Sequence, residues 1–299
     1  MNAIHKPLQK DIGDITLSVI VYLFIIVFTI FALLPVWLVF INSFATEGAI
    51  RANGFSLIPE EFSVYAYQYL FSGSRVFISY RNTLVVTGIG TIGAVLITTM
   101  FAYVLAHRKA KYRQVMSFLT YLPMIFGAGL VGFYILVTRW LGLKDTIWAM
   151  ILPYLMNPFF VFILVAYFRK IPYELYEAAS IDGANEIYTF FKIMFPIALP
   201  AIATVSLFYS IQYWNDFWLA LLFIDNYDLH PLQMMIRSLL SKVDAARYIQ
   251  SGNAAIRNVA PTYGIRLATV CVTIGPIILV YPFIQRYFVK GVTIGALKG

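Results

Sequence analysis

The chain has 299 residues, 61% of them hydrophobic and 12% charged, with a mean hydropathy of +0.78 and a formal net charge of +8; this lies outside the composition of soluble domains. Its basic residues flank long apolar runs and are not gathered into one arm or stripe, which argues against nucleic acid as the partner that the charge serves. The single cysteine, Cys271, sits inside an apolar run, so neither a disulfide nor a cysteine metal site can form within one chain.

Six runs are long enough to cross a hydrocarbon core, which takes roughly 20 helical residues. In chain order they are 15–41, 82–106, 114–138, 146–168, 197–224 and 267–285. Their apolar residues are continuous and do not alternate at period 2, so each predicts a helix and not a barrel strand. The fold class expected is an all-α integral membrane protein with six transmembrane helices in one domain spanning 1–299. Prolines at 35, 123, 153, 158, 200, 276 and 282 predict kinks. The first run lacks a small-residue cleavage pattern after it and reads as a retained anchor.

The turn HRKAKYR, 107–113, holds four basic residues in seven positions and is expected in the cytoplasm. Six crossings then put both termini and 169–196 inside, and leave 42–81 and 225–266 outside. Lys and Arg are denser in the connections so assigned to the inside. Within 225–266, the apolar spacing of LQMMIRSLLSKVDAARYI predicts a helix over about 231–249. Pattern alone leaves open whether it rests on the membrane surface or meets another protein.

The inside segment YELYEAASIDGANEIYTFFKIMFPIALP gathers acidic residues in a chain otherwise poor in them: Glu174, Glu177, Asp182 and Glu186. Pro172 pre-sets a helix start, and Glu174 and Glu177 suit the positive end of the helix dipole. Asp182 followed by Gly183 favours a left-handed cap. A second helix over 186–193 is expected to lead into Pro196. Ala178 and Ala179 present almost no side-chain bulk, so another protein could approach that backbone closely. The residues alone leave an ordinary amphipathic connector equally open.

EAASIDGANEIYTFFKIMFP resembles the cytoplasmic EAA signature of permease subunits of ATP-binding-cassette importers, with Glu177, Ala178, Ala179, Gly183, Ile193 and Pro196 at the family's spacing. The likeness covers nearly the whole chain. SLIPEEFSVYAYQYLF, followed by Asn82 and Thr83, resembles the region before the second span in the carbohydrate-uptake class, as does YWNDFWLALLF in the fifth; FVKGVTIGALKG resembles the tail of the smaller maltose-type permease subunit. The outer segment and GIRLATVCVTIGPIILVYPFIQRYFVKG are most similar to permeases serving complex saccharides.

The resemblance implies the type I importer permease fold and one half of a translocation path in the cell membrane of a prokaryote. It implies a second homologous permease subunit, two cytoplasmic ATPase subunits and an extracytoplasmic solute-binding protein that delivers a saccharide. Glu174, Glu177, Ala178, Ala179, Asp182, Gly183, Ile193 and Pro196 would form a coupling helix seated in the ATPase, and the tail, with Gly291, Gly295 and Lys298, would reach the ATPase interface or else fray. ATP and Mg would be bound by the partner. In keeping with that, none of the ten lysines is followed by Ser or Thr, so the chain holds no GxxxxGK[ST] phosphate loop. The alternatives are a permease of the same type for another polar solute and a secondary transporter.

A saccharide offers hydroxyls and apolar ring faces, and the fifth span supplies Tyr209, Gln212, Tyr213, Trp214, Asn215, Asp216 and Trp218. Asp216 is the one charged residue within the six runs, a costly placement that marks a cavity or a partner. Aromatic anchoring at the interface and packing on a sister subunit stay equally open. Asn157, beside Pro158, is a further candidate for the path or for satisfying a broken helix. All three histidines lie outside the runs and no run holds two carboxylates, which leaves no catalytic constellation and no metal set.

Overall fold

The computed structural model describes residues 12–127, 129–250 and 263–275. In chain order the helices are α1 (Ile12–Asn42), α2 (Glu47–Asn53), α3 (Tyr65–Phe71), α4 (Arg75–Ala106), α5 (Arg113–Ile125), α6 (Leu130–Ile135), α7 (Trp148–Ile151), α8 (Pro158–Phe168), α9 (Glu174–Ile181), α10 (Glu186–Tyr188), α11 (Phe195–Asn215), α12 (Trp218–Phe223), α13 (Leu232–Gln250) and α14 (Tyr263–Gly275). No strand occurs among the described residues; Ala45 and Phe62 form an isolated bridge.

Three of these stretches are long and apolar enough to cross a membrane: Ile15–Asn42, Arg75–Ala106 and Glu186–Asn215. The count reaches five when each of two broken pairs, Arg113–Ile125 with Leu130–Trp140 and Trp148–Tyr154 with Pro158–Phe168, is one span. The sixth predicted run begins in α14, and its part beyond 275 lies outside the described residues. The break in the fourth run has a local cause. Pro158 takes the first helical position of α8, where its missing N–H costs nothing, and the Asn157 side chain accepts from the Phe159 N–H at 3.0 Å as the cap. The axis bends by 45° there.

The chain divides into two compact units, 1–72 with 256–272 and 73–255 with 273–299. In the first, α1 is apolar around its whole circumference and exposed along most of its length, as suits a helix whose solvent is lipid. Its polar end is fixed by the buried Asn42, which donates to the Leu38 and Ser56 carbonyls (both 2.8 Å) and accepts from the Ser56 N–H (3.1 Å). The Glu47 carboxylate accepts from the Tyr263 and Gly264 N–H groups (2.9 and 3.3 Å), satisfying two orphan donors at the start of α14.

In the second unit α4 is central, packing on α8 and α11. Small residues allow the close approach: Ala94 and Ala102 are fully buried, and Gly90 lies under the Tyr213 ring. At one end of α4, Asn82 donates to the carbonyls of Asp228 (2.7 Å) and His230 (3.3 Å), and Thr83 Oγ1 accepts from the Leu232 N–H (2.8 Å). These bonds tie the start of α13 to α4, and α13 itself covers the predicted outer helix. Asp145 accepts from the Asp225 and Asn226 N–H groups (2.6 and 2.8 Å), and the Asn226 bond chiefly holds its carboxyl below the ordinary range. That clamp is intact above the ordinary carboxylate range and loosens only as pH falls through the depressed value.

The second helix of the 169–196 segment leads into Pro196 and continues past it. Its backbone passes from α10 through a π-helical stretch, Thr189–Met194, directly into α11. Proline lacks an N–H and crowds the carbonyl one turn back; widening that turn by one residue relieves both problems without ending the helix.

Candidate functional site

The 169–196 segment folds as a helix, a tight turn and a second helix. The turn is built by Gly183, whose φ of +77° lies in the left-handed region. The Ala184 N–H donates to the Ala179 carbonyl (2.9 Å) and the Gly183 N–H to the Ser180 carbonyl (3.2 Å), the paired bonds of a Schellman ending. Asn185 then opens the next helix, its side chain accepting from the Tyr188 N–H at 2.8 Å.

One face of α9 is anchored. Tyr176 and Ala179 are buried, and Tyr176 packs against Tyr103 and His107 at the end of α4, with ring centroids 5.9 and 5.2 Å apart. Burial, followed by the Glu186 charge, pushes the Tyr176 phenol up to about 12, so it stays neutral in the physiological range. Glu186 accepts from the Tyr103 hydroxyl at 2.7 Å and lies 3.8 Å from His107 Nε2, fastening the second limb to the same helix end. The other face is open: Glu174, Glu177, Ala178, Asp182 and Gly183 are exposed, and the turn carries two nearly bare apolar side chains, Ile181 (85% exposed) and Ile187 (70%). Ile193 is half-buried and Pro196 exposed. Tyr103, His107, Tyr173 and Tyr176 were not among the sequence-derived candidates. Their i,i+4 and i,i+3 spacings are the signal that could have found them, since each pair shares a helix face.

The polar residues of the fifth run part into two groups. Tyr209 and Tyr213 are fully buried struts. The Tyr209 hydroxyl sits 2.7 Å from Thr98 Oγ1 and accepts from the Asn157 N–H (2.8 Å), while the Tyr213 hydroxyl donates to the Ile151 carbonyl (2.9 Å). Trp214 is buried as well, and its indole N–H finds no acceptor among the described residues. Asp216 occupies the break between α11 and α12. Its Oδ1 accepts from the Tyr154 hydroxyl (3.0 Å) and its Oδ2 from the Leu219 N–H (3.1 Å), a cap for α12. Asn215 and Trp218 are exposed and Gln212 half-buried. Asn215 accepts from Gln233 of α13 (3.3 Å), and the Arg237 guanidinium of the same helix lies 4.8 Å from the Phe217 ring centroid. The structure thus gathers aromatic, amide and cationic groups of α11, α12 and α13 around the Asp216 break. The tail residues Gly291, Gly295 and Lys298 lie outside the described residues.

Residues 94–294 match the family model described as binding-protein-dependent transport system inner membrane component. The chain is 37% identical over 282 residues to a polygalacturonan/rhamnogalacturonan transport system permease protein of Bacillus subtilis, covering 94% of this chain and 98% of that one. It is 39% identical over 269 residues to protein LplC of the same organism, covering 89% and 90%. Among solved structures it is similar to a chain of a bacterial ABC transporter involved in the import of the acidic polysaccharide alginate. The TM-score there is 0.81 at 26% identity, over 95% of this chain and all of that one.

Proposed function

The chain belongs to the family of binding-protein-dependent transport system inner membrane components, and from that premise we propose that it is the membrane-spanning half of an ATP-driven importer for a saccharide, an oligosaccharide or a polysaccharide fragment. It is a permease subunit and not itself an enzyme. In this reading six helices cross the cell membrane with both termini in the cytoplasm. A second permease subunit completes the path, two ATPase subunits bind ATP and Mg, and a binding protein outside the membrane delivers the cargo. Relatives named for polygalacturonan, rhamnogalacturonan and alginate transport support a complex saccharide as the cargo class.

The observation that carries the reading is the two-faced loop at 169–196. A helix anchored by Tyr176 and Ala179 on one side, with Glu174, Glu177, Asp182 and Ile181 free on the other, is suited to receiving force from a second protein. We assign α9 as the coupling helix against the ATPase, with Ile193 and Pro196 carrying its second limb into the fifth span. Reconstitution in liposomes tests the whole proposal. Uptake of saccharide is expected only when the ATPase subunits, the sister permease and ATP are all present; uptake by this chain alone would sink it.

For the path, the groups left to meet a sugar are Gln212, Asn215 and Trp218, with Asp216 shaping the break on which they sit. Replacing Asp216 with alanine removes the α12 cap, at a cost of about 0.5–2 kcal/mol, and strips the Tyr154 hydroxyl of its acceptor. Uptake is expected to drop while the complex still assembles. Asp216→Asn keeps the side-chain shape and one acceptor for the Leu219 N–H, while its amide NH2 can donate to the Tyr154 hydroxyl oxygen, and it is expected to retain most uptake. If Asn behaves like Ala in uptake but like wild type in thermal stability, the carboxylate charge itself meets the cargo.

A further inference from the structure

At the junction of α4, α5 and α8 lies a cavity of about 320 Å³ that the coupling reading leaves without a role. This is at the lower end of the sizes in which small molecules are bound. Three arginines, Arg108, Arg113 and Arg169, line it together with His107, Tyr173 and Tyr176. None of the three arginines has a carboxylate within 4.0 Å among the described residues. Arg108 is held 4.7 Å from the Tyr173 ring centroid, so its charge is positioned but not neutralised. Three cations around one cavity call for an anion.

Which anion follows from what adjoins the cavity. It sits where α4 and α8 end and α5 begins, so its depth is that of the membrane–water boundary if these helices span. Arg113 is the first residue of α5, and on the flank of the helix next to it Met116, Leu119 and Pro123 follow at helical spacing as exposed apolar side chains. Charge at the helix start and a bare apolar stripe running away from it match the two halves of a phospholipid. We propose that this cavity binds the headgroup phosphate of an anionic phospholipid through Arg113 and Arg169, with Arg108 as a third cation and the acyl chains along the α5 stripe. The headgroup would then lie against Tyr173 and Tyr176, the residues that anchor α9. The proposal rests on the reading above only in taking the ends of α4 and α8 as one membrane face.

Native mass spectrometry of the full chain in detergent micelles tests it, with phosphatidylglycerol and phosphatidylcholine offered in equal amounts. Phosphatidylglycerol is expected to be retained in preference. In the double variant Arg113→Gln/Arg169→Gln that preference should fall by about 30-fold, the factor two surface cations supply against an anionic lipid. The double lysine variant should keep most of it, which separates lost charge from lost fold. Millimolar inorganic phosphate should leave lipid retention unchanged. Equal retention of the two lipids by wild type, or an unchanged preference in the glutamine variant, overturns the proposal. Displacement by inorganic phosphate overturns the lipid in favour of a free anion. Lost binding of the ATPase with lipid retention intact shows that the arginines read a protein instead. Retention needs neither ATP nor a partner, so failure of the coupling reading would leave this result standing.

Discussion

Valine in place of Gly183 is expected to cut saccharide uptake at least tenfold while the permease still assembles. The cause is confined to the backbone. A Cβ at this position would meet nothing within 4 Å, so no clash with a neighbour is involved. What valine cannot accept is the φ of +77°. Left-handed backbone costs an ordinary residue roughly 1–2 kcal/mol, and a β-branched one is a genuine outlier there. If the turn relaxes towards ordinary backbone instead, the Ala184–Ala179 and Gly183–Ser180 bonds are lost and the exposed acids of α9 are re-aimed. Either route spoils the fit to a partner and spares the distant membrane helices. Asparagine, which tolerates this conformation, should restore much of the uptake. The measurement is uptake per ATP hydrolysed in proteoliposomes; a valine variant with a normal ratio and rate would remove α9 from the coupling role.

A methyl group at Gly90 is expected to be at least as damaging, through stability. Its Cβ would stand 2.7 Å from Tyr213 Cζ and 2.8 Å from two further ring carbons. The ring cannot withdraw freely, because its hydroxyl is bonded to the Ile151 carbonyl and Tyr154 packs against it with centroids 6.0 Å apart. Overpacking of this kind costs about 1–3 kcal/mol, here at the main contact between α4 and α11. Gly90→Ala should therefore lower the melting temperature of the purified chain and its yield in the membrane. Adding Tyr213→Leu should recover part of the loss, giving a favourable coupling term in a double-mutant cycle. Additive losses would mean that the two positions do not constrain each other.

Features governed by neighbours in sequence were legible before any coordinates. An Asp-Gly pair at the end of an acidic helix predicts the left-handed turn at Gly183, and apolar spacing in LQMMIRSLLSKVDAARYI predicts α13. Asn157 beside Pro158 pointed to a helix break, and the structure specifies it as the α8 cap. What stayed hidden depends on residues far apart in the chain. Asp216 was conspicuous as a lone charge, yet Tyr154, which donates to it, is 62 residues away. Glu186 looked like one more loop acid, but Tyr103, 83 residues before it, supplies its hydrogen bond. That the helix runs on through Pro196 was not legible, for a different reason. Proline punctuation is a rule about ordinary α-helical turns, and a π-helical turn just before the ring escapes it.

That uninterrupted passage has a mechanical consequence. From Glu186 to Asn215 the backbone is one helix of 30 residues, about 45 Å long at the usual rise. Within it, the points at which a push on the lower end could be absorbed are the π-helical turn at 189–194 and Pro200. In the proposed coupling role, a tilt of a few degrees imposed beside the Gly183 turn and passed on through those two points would become a sideways sweep of several ångströms at Asn215. Beyond Pro200 the next joint is at Asp216 and Phe217, where the helix gives way to a capped break. Stroke and cargo-facing groups would then be the two ends of the same lever, with α4 as its bearing.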